Sequence, residues 1–464
     1  MSLGNHDKSK DAKTLTRHPT GSIRELWTLS YPLMLSALSG TLMLFCDRII
    51  LAHYHTDAMN AAASASMVFF TFIFAGISIA GIAEVLVGQY NGAQKWEKIA
   101  EPVWAMIWFS SFLVIPFIGI GIFGSPYLLA NNMQEYGVPY LTGLMFSAPL
   151  FALVAALSAF FIGRGQVALV TYSVAIGNVL NFVLNLVFVF GVEGYIPAMG
   201  TLGSSLGTGI AQATIALILF ALFLSKTNRV KFGTGNWRLH WGSFRQCMRI
   251  GLPNSLGHMA AITAWTIVLH LLASTSFEHI TVFTIGQSIW ILFSFITDGS
   301  SKAMSAVAAN LIGSNNIHKI KKVLVSGILL QCIYAVFLAV PLLITPHLMI
   351  DLFIPDVTDT HIQSIKSLLA AGCFWLWIAF VGDAITWVIA GILTAAGDTI
   401  FIMIMSTLAS WIFGMLPIYI MVVKYHGAPN VSLNLIALFT TLTAISFYLR
   451  YKTNHWERKA LLIA

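Results

Sequence analysis

The stretch TLMLFCDRIILAHY, Thr41 to Tyr54, is apolar on both sides of two adjacent charges, Asp47 and Arg48. Its neighbours decide how it reads. The chain has 464 residues, 57% hydrophobic and only 9% charged, with a mean hydropathy of +0.81. Soluble chains carry about 25% charged residues. A long chain this poor in charge is polytopic in a membrane. Backbone groups in hydrocarbon must bond within the protein, so the spans are helices or a closed barrel. The apolar runs are too long and continuous for barrel strands of about 10 alternating residues.

Segments of about 20 residues or more recur near 26–52, 59–89, 102–123, 139–161, 169–191, 203–225, 247–272, 280–306, 321–345, 366–394, 400–423 and 431–449. The second, eighth and tenth exceed what a bilayer needs and are expected to tilt, bend or protrude. Pro32, Pro116, Pro149, Pro253 and Pro341 are candidate bends.

Loop charge orients the chain. The N-terminal tail, the even-numbered loops and the C-terminal tail hold 21 of the 25 basic residues, among them Arg164 and the cluster Lys226, Arg229, Lys231, Arg238, Arg245 and Arg249. The opposite loops hold Lys366 and Lys424 with Glu193, Asp351, Asp356 and Asp359. Both termini are therefore expected in the cytoplasm, with the chain in the cell (inner or plasma) membrane. The net charge of +7 points to anionic lipid. No motif of basic and aromatic residues points to nucleic acid. Cys46, Cys247, Cys332 and Cys373 stand singly, without metal or disulfide spacing.

The halves repeat. RELWTLSYPLMLSAL from Arg24 aligns with RQCMRIGLPNSLGHM from Arg245, placing Pro32 on Pro253 at an offset of 221. The same offset aligns VGQYNGAQKWEKIAE with AANLIGSNNIHKIKK and places Gly92 on Gly313. At an offset of 232, GRGQ aligns with AAGD, Gly165 on Gly397. Six spans per half give both halves one orientation, hence two parallel lobes around a cavity. The expected division is a tail at 1–22, an N-lobe at 23–225, a linker at 226–244, a C-lobe at 245–449 and a tail at 450–464. The first 22 residues read as a mobile polar tail rather than a signal peptide.

A charge in hydrocarbon costs about 2.5–3.5 kcal/mol on insertion scales, so charges within spans usually face protein or water. Asp47 lies toward the outer end of the first span. A partly desolvated carboxyl there can exchange a proton, or hold a cation when ionised. Arg48 points about 100° away from it on a helix and does not face it; the expected role is structural. Asp383 falls near the middle of the tenth span. Asp298 and Lys302, four apart, share a helix face and are expected to pair, either structurally or as a gate. Glu84 reads as an interfacial acid, with a proton relay as the alternative. Asn178, Asn181 and Asn185 share one face of the fifth span, which must be internal. Asn254 and His258 are candidate polar cavity residues, the histidine reading as a hydrogen-bonded core residue or a titratable one.

LSYPLMLSALSGTLMLFCDRIILAH, VGQYNGAQ, GRGQ, NVLNFVLNLVFVFG, PAMGTLGSSLGTGIAQ, GLPNSLGHM and VGDAITWVIAGILTAAGDT resemble, in order and spacing, the multidrug and toxic compound extrusion (MATE) transporters. The resemblance spans nearly the whole chain after the tail. It implies an all-α fold of twelve transmembrane helices in two six-helix lobes, and cation-coupled antiport of organic, mostly cationic compounds by alternating access. The implied coupling ion is H⁺ or Na⁺, held at Asp47 or Asp383, with no other metal and no cofactor. Asp47 matches the acid of the family's first-span pattern D-x-I-M-x-G, Asp383 its tenth-helix acid, and Asn181 and Asn185 its N-x-x-L-[DN] pattern, whose polar atoms the resemblance implies as partners of the first-span acid. Two departures stand out. Arg48 occupies a position commonly small and uncharged in the family, and Ala261 one that often carries glutamate. The expected partners are a small organic substrate and the lipid bilayer, and the expected state is a monomer. The alternative reading is a lipid-linked saccharide flippase of the same wider superfamily. It calls for a more cationic cavity, which only Arg48, Lys302 and Arg164 could supply. No HExxH, GxSxG or P-loop motif supports a membrane-embedded enzyme.

Overall fold

With no water to serve their backbones, apolar runs satisfy every amide within themselves, and the described residues form twelve helices of membrane-spanning length. The computed structural model describes residues 15–354 and 360–458. In chain order the spans are α1 (Ile23–Tyr54), α2 (Thr56–Gly92), α3 (Trp96–Tyr127), α4 (Gln134–Ile162), α5 (Val167–Phe190) and α6 (Gly200–Phe223). The second half supplies α7 (Trp241–Thr275), α8 (Phe277–Gly313), α9 (Ile317–Ile344), α10 (Gln363–Ala395), α11 (Thr399–Lys424) and α12 (Val431–Lys452). A short helix, Lys226–Phe232, joins the halves. Among the described residues the only β pairing is one bridge, Val192 to Ile196. The protein is a multi-pass, all-α membrane protein.

Each expected span coincides with a helix, and the departures have local causes. α7 starts at Trp241, inside the stretch read as linker. α2, at 37 residues, is interrupted at Ile82 without a proline. Pro32, Pro149 and Pro253 lie inside their helices. Pro341 lies in a wide π turn of α9, Val340–Ile344. Pro116 precedes another in α3, Ile120–Gly124. Such turns absorb the backbone bond that proline removes. The expected mobile tail is corrected for residues 15–22. The Ser22 hydroxyl accepts the Glu25 amide at 3.3 Å, the Glu25 carboxylate accepts the Gly21 amide at 2.6 Å, and Ser326 of α9 donates to the Gly21 carbonyl at 2.7 Å. This start signal resembles a capping box, and it ties the entry of α1 to the second half. Residues 1–14, and Asp356 and Asp359, lie outside the described residues.

The repeat is visible in the packing. In the first half α2 packs on α4, α4 on α6, α5 on α6 and α1 on α5. The counterparts α8 on α10, α10 on α12, α11 on α12 and α7 on α11 recur in the second. Between halves, α1 packs on α8 and α2 on α7. Backbone detail follows the same offsets. Gln94 and Asn315 adopt φ of 56° and 58°, and Gly165 and Gly397 adopt 76° and 77°. The left-handed turn that needs glycine occurs at matching points of both lobes. One feature breaks the symmetry: Asp398, fully buried in the second half, accepts from Arg450 Nε at 2.8 Å.

Contacts joining the lobes fall in the half of the N-lobe nearer the termini. They include Tyr334 to Met34 (3.2 Å), Gln89 to the Ala395 carbonyl (2.8 Å) and Asn310 to the Gly163 carbonyl (2.8 Å). Asp47, by contrast, sits in the last third of α1, toward the opposite end.

Candidate functional site

Asp47 is buried, at 3% exposure. Its Oδ1 accepts a hydrogen bond from Asn185 Nδ2 of α5 at 2.8 Å. Asn185 also donates toward Asn181 Oδ1 at 3.1 Å, and Asn181 Nδ2 donates to Thr208 of α6 at 3.1 Å. Both asparagines are fully buried. Tyr140 of α4, beside Ser66 of α2 at 3.4 Å, completes the polar surroundings as an electrostatic neighbour of Asp47. The helix period makes this arrangement. Asn181 and Asn185, four apart, point to one side of α5, and α1 and α6 pack on that side. Two acceptors, Asn185 Oδ1 and Ser204 Oγ of α6, are buried with no hydrogen-bond partner. A carboxylate beside the spare amide oxygen of Asn185 suits a proton or a small hard cation.

Asn178 belongs elsewhere: its amide donates to Ser39 Oγ of α1 at 2.5 Å, not to Asp47. Arg48 is exposed on the neighbouring face of α1.

A second polar array is built on α8 and α10 of the second half, with Glu84 of α2 at its edge. Asp383 of α10 has the Asp298 carboxylate of α8 and the Trp387 indole as neighbours. Lys302 is an electrostatic neighbour of both Asp298 and Glu84. The expected Asp298–Lys302 ion pair is not closed, although the two share a helix face. Lys302 is instead placed among acids from both lobes. Glu84 is corrected from an interfacial acid to a buried one, at 8% exposure, with Oε1 lacking a partner. Asp298 and Lys302 are exposed at mid-helix, yet their neighbours belong to α10 and α2. Asp298 therefore faces α10 within the second half, and Lys302 reaches the first half at Glu84.

His258 of α7 stacks on Trp387 with ring centroids 5.6 Å apart and planes 11° from parallel. It meets Phe74 of α2 edge-on at 5.5 Å. Asn254 Nδ2 reaches Ser78 Oγ of α2 at 3.4 Å. The two α7 residues thus face the N-lobe, and the aromatic ladder links Asp383 across the divide. Sequence reasoning did not single out Thr208, Tyr140 or Trp387. Trp387 follows Asp383 by four residues, and that spacing is the signal that could have found it.

Two parallel six-helix repeats, with buried carboxyls at helix contacts and a lysine of one half near an acid of the other, define a membrane transporter rather than an enzyme. The family model MatE matches residues 32–187 and 255–420, and the chain belongs to that family, the MATE transporters. It is 23% identical over 452 residues, 95% of this chain and 94% of the relative, to the probable multidrug resistance protein NorM of Thermotoga maritima. It is also 23% identical, over 86% of this chain and 87% of the relative, to the multidrug resistance protein MdtK of Photorhabdus laumondii. Among solved structures, an outward-facing multidrug resistance MATE transporter of the MOP superfamily shares the fold with a TM-score of 0.80, at 18% identity, over 97% of this chain and 98% of that one. The eukaryotic MATE transporter AtDTX14 shares it with a TM-score of 0.83 at 15% identity, over 95% of this chain and 97% of that one.

Proposed function

We infer that this chain is a multidrug efflux antiporter, driven by H⁺ or Na⁺, that exports organic compounds, cationic or amphiphilic ones foremost, by alternating access. The observation that carries this reading is Asp47: a carboxyl buried in a membrane helix and held by Asn185 from another helix. Ion entry at Asp47 changes the charge of a desolvated site, so it biases how α1, α5 and α6 pack. Asp383, beside Asp298 and under the Trp387–His258 stack, is the C-lobe counterpart. The names of the curated relatives support drug export as the cargo class. The protein works as a monomer in the cell membrane, with both termini in the cytoplasm; the basic residues of the terminal side support that orientation.

A flippase reading finds little support in the charges. Arg48 is exposed and is an electrostatic neighbour of Tyr140 beside the Asp47 site, Lys302 stands among acids, and Arg164 lies under aromatic rings on the terminal side. Arg164 and Lys231 line a cavity on the terminal side, but Glu25 lines it too and neither Arg48 nor Lys302 does.

The test is a proteoliposome assay with an imposed pH or Na⁺ gradient and a fluorescent organic cation. Wild-type protein is expected to move the dye with the gradient. Asp47→Asn is expected to abolish gradient-driven movement while remaining monodisperse. Unchanged gradient-driven efflux by Asp47→Asn would overturn the assignment, and lipid scrambling without dye movement would restore the flippase.

A further inference from the structure

The lobes meet on the terminal side through one contact made twice. Gln89 of α2 donates Nε2 to the carbonyl of Ala395, the last residue of α10, at 2.8 Å. Asn310 of α8 donates Nδ2 to the carbonyl of Gly163, the residue that caps α4, at 2.8 Å. The offset of 221 that relates the halves carries Gln89 onto Asn310, and the offset of 232 carries Gly163 onto Ala395. Each bond is therefore the repeat image of the other, given once by each lobe and received once by each.

The chemistry suits a closure. The last carbonyls of a helix lack intrahelical partners. Here the partner comes from the opposite lobe, so the carbonyl is satisfied only while the lobes touch. Both amide side chains are buried, Gln89 at 3% and Asn310 at 9% exposure. The backbones between them also approach closely. A Cβ added to Gly92 would run into the backbone of Asn310, and one added to Gly313 into the backbone of Gln89. Gly92 and Gly313 are themselves repeat equivalents. The symmetry is imperfect in two bonds of Asn310: its Oδ1 accepts from Asn91 Nδ2 at 2.6 Å, where the counterpart of Asn91 is Ile312, and its Nδ2 also donates to the Ala306 carbonyl of its own helix at 2.8 Å.

We propose that Gln89 and Asn310 are positioning residues of transport: a paired latch, seated on Gly92 and Gly313, that holds the terminal side closed and must release for cargo to enter there. This rests on the alternating-access reading above, and it predicts more than that reading does. Either half alone keeps the gate partly shut; losing both frees it. The Asn91 bond makes the Asn310 half the stronger one.

The test is a distance measurement by electron paramagnetic resonance. Nitroxides are placed at Lys98→Cys and Lys321→Cys, on the terminal side of the two lobes, with Cys46 and Cys332 replaced by serine. In lipid nanodiscs without a gradient or a drug, the parent is expected to give a dominant short distance. Gln89→Met and Asn310→Leu keep side-chain volume and remove the donor. Each is expected to raise the ratio of long to short distances about fivefold, the effect of one net hydrogen bond, with Asn310→Leu the larger. The double variant is expected to be mostly long. Gly92→Ala and Gly313→Ala act by wedge rather than by lost bond and are expected to shift the same way, so a misfolded amide variant does not end the test. A parent already at the long distance would overturn the latch, as would all four single variants retaining the parent distribution. Because this readout needs no transport, the latch can fail while gradient-driven efflux stands, and the reverse.

Discussion

Asn185 and Asp47, 138 residues apart in sequence, meet at 2.8 Å in the interior of the N-lobe, amide nitrogen to carboxylate oxygen. The pairing makes the acid's charge a property of helix packing. α1 carries the carboxyl, α5 carries its donor, and α6 anchors the donor's neighbour through Thr208. Asn178, on the same side of α5 two turns earlier, is held by Ser39 and takes no part.

That division gives a graded prediction. Asn185→Leu removes a hydrogen bond to a charged group, an interaction that contributes about 1.5–3 kcal/mol. Gradient-driven efflux is expected to fall about tenfold or more, and its pH profile to move relative to wild type. Asn178→Ala is expected to stay within about twofold with an unmoved profile, since its bond is helix-to-helix glue of about 0.6–2 kcal/mol. Equal losses in the two variants, with neither profile displaced, would show that the α5 face is structural only.

Lys302 carries the second prediction. It is an electrostatic neighbour of Asp298 and Glu84, and Asp298 is a neighbour of Asp383. Removing the lysine's charge from a group of acids leaves their mutual repulsion less compensated. Lys302→Met is expected to cut coupled efflux about tenfold or more, and Lys302→Arg to restore most of it. Adding Asp298→Asn to Lys302→Met is expected to recover activity, because it removes one of the repelling charges. If the double variant is worse than either single one, the array works through shape and not through charge.

Much of this was legible in the residues, and the exceptions follow a physical pattern. Span positions, the repeat and the inward face of α5 are written in hydrophobic periodicity and spacing, which local geometry translates directly. The meeting of Asn185 with Asp47 was suggested by family resemblance, since spacing says nothing about contacts between distant helices. Asp298 and Lys302 show the limit of spacing. Four residues apart put them on one face, but neighbours from other helices decided where the lysine's charge is used. Glu84 appeared interfacial because it lies near a helix end. It is buried because that end of α2 packs against the other lobe, as the Gly88 contact with Ala309 shows. The Trp387–His258 stack depends on two helices crossing and leaves no one-dimensional trace.

Arg164 tests how the linker is held. It sits in the α4–α5 turn, with its guanidinium carbon 3.9 Å from the Phe232 ring centroid and 4.4 Å from that of Phe160. Phe232 ends the linker helix and is buried. Burial pulls the Arg164 guanidinium down to about 10 from its ordinary value of 12.5. The sign follows: below about pH 10 the folded protein keeps the charge, and the cost of burying it is relieved only as pH rises through that value. Linker docking is therefore expected to be independent of pH between about 5 and 9. Arg164→Lys keeps the charge but loses the flat cation that lies on two rings. A desolvated cation–π contact is worth about 2 kcal/mol, so protease nicking between Lys226 and Arg238 is expected to accelerate about tenfold or more. Cleavage rates that match wild type, or that change steeply between pH 5 and 9, would mean the rings are held by packing alone and the guanidinium is incidental.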